Sequence, residues 1–363
     1  MFMAYPRRAL SLAVAAVVLA SCATPEPEPA PAPPPPPPPP AVSLNEGVAQ
    51  AASIYVAFMR EAGSIHAGFD SAEAIQAAIR KGASYEPAQL SRGMIAYGSI
   101  LALQSPEFVQ GVRTFAADPA TRQQMVARIL ADPATAATFP GADAAAGLIV
   151  DTIGRDSAAM LVIADAVEGD AYTIQERNDP RRRWATVHIA DRVTRLEGAK
   201  TLSAVQMLPS ADESARLFAA ANSGSGLGLG SARSGPPYTP AVVRSLAIAA
   251  LAALGAGGED GRANTEALAV EQNSEFCLNM SKLMLFQCLA ASRPSYEDMF
   301  CVGRHVARDL ATCTAQNITP APVDVPQTAV AGGAPDAVAA QTPVAAEAAA
   351  ASASATAALN NSR

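Results

Sequence analysis

Between residues 43 and 315 apolar positions recur every three or four residues, and no comparable stretch alternates with period two. That pattern predicts an all-α chain, a multi-helix bundle or array. Leu44, Val48, Ala51, Tyr55, Phe58 and Ala62 make the first stripe, with Ser43 and Glu46 as a capping box before it and Gly63 behind it. Asp70 and Glu73 open a second helix that closes at Gly82. Five later starts share one form: Ser105-Pro106, Asp118-Pro119, Asp132-Pro133, Asp179-Pro180 and Thr239-Pro240. In each, a side-chain oxygen can accept an orphan amide while proline takes the first helical position, where no N–H is needed. Ser210 with Glu213 forms another box. Ala117–Thr121 recurs as Ala131–Thr135, but two copies fall short of a repeat array and read as one capping phrase used twice.

Composition breaks divide the chain. Residues 25–40 alternate Pro with Glu or Ala and then run through Pro33–Pro40, which predicts polyproline II about 50 Å long. A proline run can also be a ligand for aromatic grooves; here the spacer reading is preferred. Five glycines between Ser223 and Pro237 mark a flexible loop, residues 223–238, between a helical domain at 43–222 and a helical segment at 239–315. As a phosphate cradle that loop fails, because no strand precedes it and no Lys-Ser or Lys-Thr closes it. Ala241–Leu254 is very apolar but short and carries Arg244, so it reads as a buried core helix and not a membrane span. Residues 316–363 are Ala, Pro, Thr, Val and Gln with few large apolar groups, which predicts disorder with nascent helix near Ala345–Ala358.

Half of the 363 residues are apolar and only 16% are charged, with alanine in the majority role. Small side chains favour closely packed helices. The formal charge is −7, so the chain carries no electrostatic footprint for nucleic acid.

The five cysteines are the sharpest local signal. Setting Cys22 aside leaves Cys277, Cys288, Cys301 and Cys313, an even number that implies two disulfides in an exported protein. Cys277 and Cys288 are eleven residues apart and share one helical stripe. Arg293-Pro294-Ser295 then breaks the chain and starts a second helix. An antiparallel hairpin sets Cys288 opposite Cys301 and Cys277 opposite Cys313, with Leu278, Leu285 and Leu289 facing the core. The nested loops, about 13 and 37 residues, are worth roughly 3 and 4 kcal/mol taken separately. The twelve residues from Cys301 to Cys313 turn about 120° beyond whole turns, which puts Cys313 on a frayed or bent last turn. Zinc is the rival reading, but close C-x₂₋₄-C pairs are absent. No metal or other cofactor is expected. The arrangement resembles the twin-cysteine helical hairpins of small disulfide-stapled proteins, in architecture alone.

Arg7 and Arg8 precede an apolar run from Ala9 to Ala20 that ends in Leu19-Ala20-Ser21-Cys22. This resembles the lipobox of bacterial lipoproteins. The resemblance implies a signal peptide at 1–21, acylation of Cys22 as the mature N-terminus, and a tether over 22–42. Ala23, where an aspartate commonly retains such proteins in the inner membrane, implies the outer membrane. Cleavage would leave the mature chain near −9, since Arg7 and Arg8 depart. Phe276–Cys313 also looks like a segment of uncharacterised alphaproteobacterial envelope lipoproteins, and less clearly residues 86–200; that likeness implies no activity.

Catalytic constellations are thin. His188 with Asp191, and His305 with Asp309, have helical spacing suited to a carboxylate orienting an imidazole, yet such pairs are common on solvated helix faces. No Gly-x-Ser-x-Gly occurs. Asp151, Asp156, Asp165, Glu168 and Asp170 could supply a glycosidase pair but read as the solvated face of one long helix. Arg181, Arg182 and Arg183 beside Trp184, with Arg192 and Arg195 beyond, form the best candidate contact surface, against the plainer reading of a charged first turn. The expectation is an envelope-anchored binding or scaffolding module, partnered by the membrane through its lipid and by an unknown envelope protein or cell-wall polymer. The alternative is a periplasmic cell-wall-polymer hydrolase.

Overall fold

The computed structural model describes residues 38–177 and 179–320. The expected signal peptide at 1–21, Cys22, most of the proline tract and residues 321–363 lie outside the described residues. Among the described residues thirteen α-helices follow one another: α1 Glu46–Ala62, α2 Ala72–Ala83, α3 Pro87–Leu103, α4 Pro106–Arg113, α5 Pro119–Ala131, α6 Ala142–Glu176, α7 Arg192–Ser203, α8 Ala211–Ser223, α9 Pro240–Ala253, α10 Arg262–Leu268, α11 Gln272–Ala291, α12 Ser295–Val302 and α13 Asp309–Ile318. Among the described residues there is no strand, and extended pairing is limited to two isolated bridges. The chain is all-α.

All five cap-and-proline phrases start helices, three as α4, α5 and α9 and two as 3₁₀ turns at Pro133–Thr138 and Pro180–Thr186. Glu86-Pro87 is a sixth, with both carboxylate oxygens accepting amides of α3. Two expected starts shift. The cap of α1 is Asn45 and not Ser43, because the Asn45 Oδ1 accepts Val48 N while its amide reaches Gly257 O and Thr265 Oγ1 at 2.8 Å each. The amide of Ser43 is engaged elsewhere, on Ala252 O at 3.0 Å. For α2 the cap is Ser71, one residue past Asp70. Ser210 caps α8 as expected, but Glu213 turns away to Arg60 and Arg216. Burial pushes the Glu213 carboxyl up, and the two guanidinium groups outweigh that and hold it below the usual range.

The interior has two apolar clusters, and helices from both sides of residues 223–238 contribute to each. In the larger, α9 is buried on every face and packs on α3, which packs in turn on α1. Close approach is made by small residues: a Cβ at Gly93 would stand 2.6 Å from Ala51 O, and one at Gly98 would stand 2.5 Å from Ser245 Oγ. Ser245 Oγ donates across the α3–α9 contact to Ile95 O at 3.0 Å. This is the structural use of the small-residue composition. The second cluster joins α2, the last turns of α6, α7, α11 and α12. Among the described residues, no helix is long and apolar enough to cross a membrane.

The hairpin is α11 against α12 and α13, stapled by Cys277–Cys313 and Cys288–Cys301, each with Cα atoms 5.7 Å apart. Leu278, Leu285 and Leu289 are buried. Cys313 sits within α13, and not on a frayed end. The mismatch of phase is absorbed earlier, by a π turn at Gly303–Arg308. An i→i+5 turn takes up one residue more than an α turn, so twelve residues register as eleven and match the spacing of Cys277 and Cys288. The π turn begins at Gly303, where a Cβ would stand 2.8 Å from Glu168 Cγ on α6.

A candidate binding cleft between α2 and α7

The C-termini of α2 and α7 meet where Ser203 Oγ donates to Ala83 O at 2.9 Å, so the two helices run side by side in the same direction. Between them opens a cleft of about 470 Å³, lined by Gln76, Ile79, Arg80, Trp184, His188 and Asp191 among others. Its far wall is the segment Val187–Ile189. That segment pairs with the α11–α12 turn through Ile189 N on Arg293 O at 2.8 Å and Ser295 N on Val187 O at 3.3 Å.

Beneath the cleft lies an ion pair. The Arg195 side chain is 4% exposed and donates through Nη1 to both oxygens of Asp298, which is 0% exposed. Its Nη2 meets Leu289 O. Ser292 Oγ at 2.6 Å and Gln76 Nε2 at 2.9 Å also donate to Asp298. Burial pushes the Asp298 carboxyl up, and Ser292, Arg195 and Gln76 pull it only part of the way back. A pair removed from water this completely fixes geometry more than it adds stability.

The arginines do not form one patch. Arg181 and Arg183 are exposed, whereas Arg182 pairs with Asp170 on α6. Trp184 is half-buried, packing on the second cluster with one side toward the cleft. Arg192 caps the end of α11, donating to Ala290 O at 2.6 Å and Ser292 O at 2.7 Å. Sequence adjacency had grouped side chains that the fold separates.

The remaining candidates are mostly held in place. His305 Nδ1 lies 3.0 Å from Asp309 Oδ2 on the π turn, as spaced. His188 lines the cleft with Asp191, and among the described residues no hydrogen bond joins them. The acidic row of α6 is less solvated than its spacing suggests. Arg308 binds Glu168 Oε1 at 2.7 Å and Asp165 Oδ1 at 2.6 Å, and its guanidinium is held well above its ordinary pKa by them. Arg155 binds Asp151, and burial raises the Asp156 carboxyl. In the glycine loop, Arg233 is engaged by Asp143 at 2.7 Å and Glu107 at 2.6 Å, beside a cavity of about 400 Å³. Among the described residues no group of three or more His, Cys, Asp or Glu could hold a metal ion. Sequence reasoning missed the Arg195–Asp298 pair, which joins residues 103 positions apart. It also missed four large apolar side chains exposed along α11; their regular spacing was the available signal.

No family model, no curated protein and no solved structure matches this chain.

Proposed function

We propose that this chain is a lipid-anchored helical protein of the outer membrane, facing the periplasm, that binds a partner without transforming it. Cys22 carries the acyl chains, the proline tract is a spacer, and the α2–α7 cleft takes the partner. The observation that carries the reading is that cleft: preformed, with an aromatic wall at Trp184 and a floor locked by the Arg195–Asp298 pair. On the Pro180–Thr186 turn that also carries Trp184, Arg181 and Arg183 are exposed and uncommitted to any ion pair among the described residues. They suit a partner that carries carboxylates, such as an acidic protein segment or a cell-wall peptide.

Crosslinking in intact envelopes, followed by recovery of the bound partner, tests the cleft. Reversing Arg181 and Arg183 to glutamate should reduce that recovery while the fold is kept, because among the described residues neither side chain is part of an ion pair. Trp184 is the only tryptophan, so its emission reports both the fold and occupation of the cleft. Undiminished recovery from a folded variant would dismiss the reading. The anchor has its own test: Cys22→Ser should move the protein from the detergent fraction to the soluble periplasm. Membrane attachment that persists with acyl label still incorporated would overturn it.

A further inference from the structure

Six buried side-chain oxygen or nitrogen atoms have no hydrogen-bond partner among the described residues. Three of the six, Tyr55 Oη, Ser91 Oγ and Ser274 Oγ, belong to residues that line one small cavity in the larger apolar cluster. Tyr55 is 1% exposed and the two serines are 0% exposed, so bulk solvent does not satisfy them. A buried hydroxyl without a hydrogen bond is costly, and native interiors seldom leave one so. Three on one cavity point to a shared partner.

The walls come from four helices. Tyr55 lies on α1, Ser91 on α3, Ser274 in the first turn of α11, and Thr314 with Asn317 on α13. The neighbouring polar groups do not supply the missing bonds. Asn317 Nδ2 is committed to Cys313 O at 2.7 Å. Burial raises the Tyr55 phenol well above its ordinary pKa, Asp156 and Tyr97 add to the rise, and Thr314 is near enough to oppose it. Yet no hydrogen bond of ordinary length and angle joins Thr314 to Tyr55. The rest of the wall is apolar, from residues such as Leu90, Met94 and Leu278, and none of the residues lining the cavity is charged.

The cavity offers about 10 Å³ to a sphere the size of a water molecule. One water needs about 10–15 Å³ on that measure, and two to four polar partners. Both conditions are met. A cation would find hydroxyls but no carboxylate to balance its charge, and a larger molecule would not fit. We propose that this cavity is a binding site for one structural water, which joins Tyr55 Oη, Ser91 Oγ and Ser274 Oγ by hydrogen bonds. Water donates two bonds and accepts two, and each hydroxyl can do either, so the three bonds form without conflict. The molecule ties α1 and α3, ahead of residues 223–238, to α11 behind them. The two parts also meet nearby through Tyr85 Oη on Leu278 O at 3.2 Å.

One molecule shared by two hydroxyls makes their deletions interdependent. Ser91→Ala, Ser274→Ala and the double variant, each in the full chain carrying Cys22→Ser, are unfolded in urea and followed by circular dichroism. The first deletion removes the bridge, so the second should cost less. The change in the double variant's unfolding constant should fall at least about threefold short of the product of the two single changes. The helix propensity of alanine cancels in that comparison. Ser99→Ala with Ser274→Ala is the control, since Ser99 Oγ donates to Ala96 O at 2.7 Å and does not line the cavity; those two changes should multiply. A crystal structure fine enough to place ordered waters should show one molecule about 2.7–3.2 Å from the three oxygens. Changes at Ser91 and Ser274 that multiply like the control would overturn the proposal, as would hydroxyls turned onto carbonyls of their own helices around a dry cavity. Partner recovery through Arg181 and Arg183 is unaffected by either result.

Discussion

The native chain should gain stability as pH rises above neutrality, and replacing Lys282 by methionine should flatten that rise. The side chain is 6% exposed and lies over the Tyr85 ring, 4.1 Å from its centroid. Its Nζ donates to Ala83 O at 2.9 Å and Ser203 O at 3.3 Å, tying the ends of α2 and α7 to α11. Burial pushes its pKa down to about 7, against a smaller upward pull from Glu86. The unfolded chain keeps the proton up to about 10.4. Below pH 7 both states are protonated and the residue contributes no slope. From about 7 to about 10.4 the unfolded state alone holds the proton, so unfolding free energy rises by about 1.4 kcal/mol per pH unit. Methionine takes its donor from Ser203 O, at about 1–3 kcal/mol, whereas Ala83 O keeps Ser203 Oγ and Tyr85 N; that loss does not vary with pH. The native chain should therefore gain roughly 2–3 kcal/mol on Lys282→Met between pH 7 and pH 9. Urea denaturation followed by circular dichroism at several pH values measures this, and other titrating groups cancel in the difference. Parallel stability curves would refute the reasoning.

Three further outcomes follow from the packing. Gly93→Ala should cost about 1–3 kcal/mol in a denaturant midpoint, because the new Cβ meets the Ala51 carbonyl and Tyr55 and forces α1 from α3; an unchanged midpoint would contradict the close approach. Asp298→Ala should cost about 3–5 kcal/mol, since Arg195 is left buried without its counter-ion, and should shift Trp184 emission as the cleft floor loosens. Replacing Cys288 and Cys301 together by alanine should cost about 3 kcal/mol and leave a Cys277–Cys313 peptide in a non-reducing map; a scrambled map of the native protein would contradict the nested pairing.

The sequence was most informative where the physics is local or a matter of counting. A proline behind Ser105, Asp118 or Thr239 specifies a helix start, since the cap oxygen, the missing N–H and the fixed φ lie within three residues. The nested disulfides were legible because rise per residue and a short break exclude the other pairings. The all-α class followed from periodicity. By contrast, Asn45 displaced Ser43 as a cap because of partners more than 200 residues away, Gly257 and Thr265.

The candidate sites lay further from view for the same reason. Arg181 to Arg183, Arg192 and Arg195 look equivalent along the chain, and tertiary structure gave them different fates. Arg182 met Asp170, Arg192 met the carbonyls ending α11, Arg195 was buried on Asp298, and Arg181 and Arg183 were left in water. The π turn was likewise outside local reasoning: the sequence required Cys313 to come back into phase, and the contact of Gly303 with α6 marks where that happened. A stripe at α11 could be counted from the sequence, but which of its two apolar sides would be covered could not. Burial of a helix face depends on what packs against it, and here α3, α7, α12 and α13 took one side and left Phe276, Met280 and Leu283 outside.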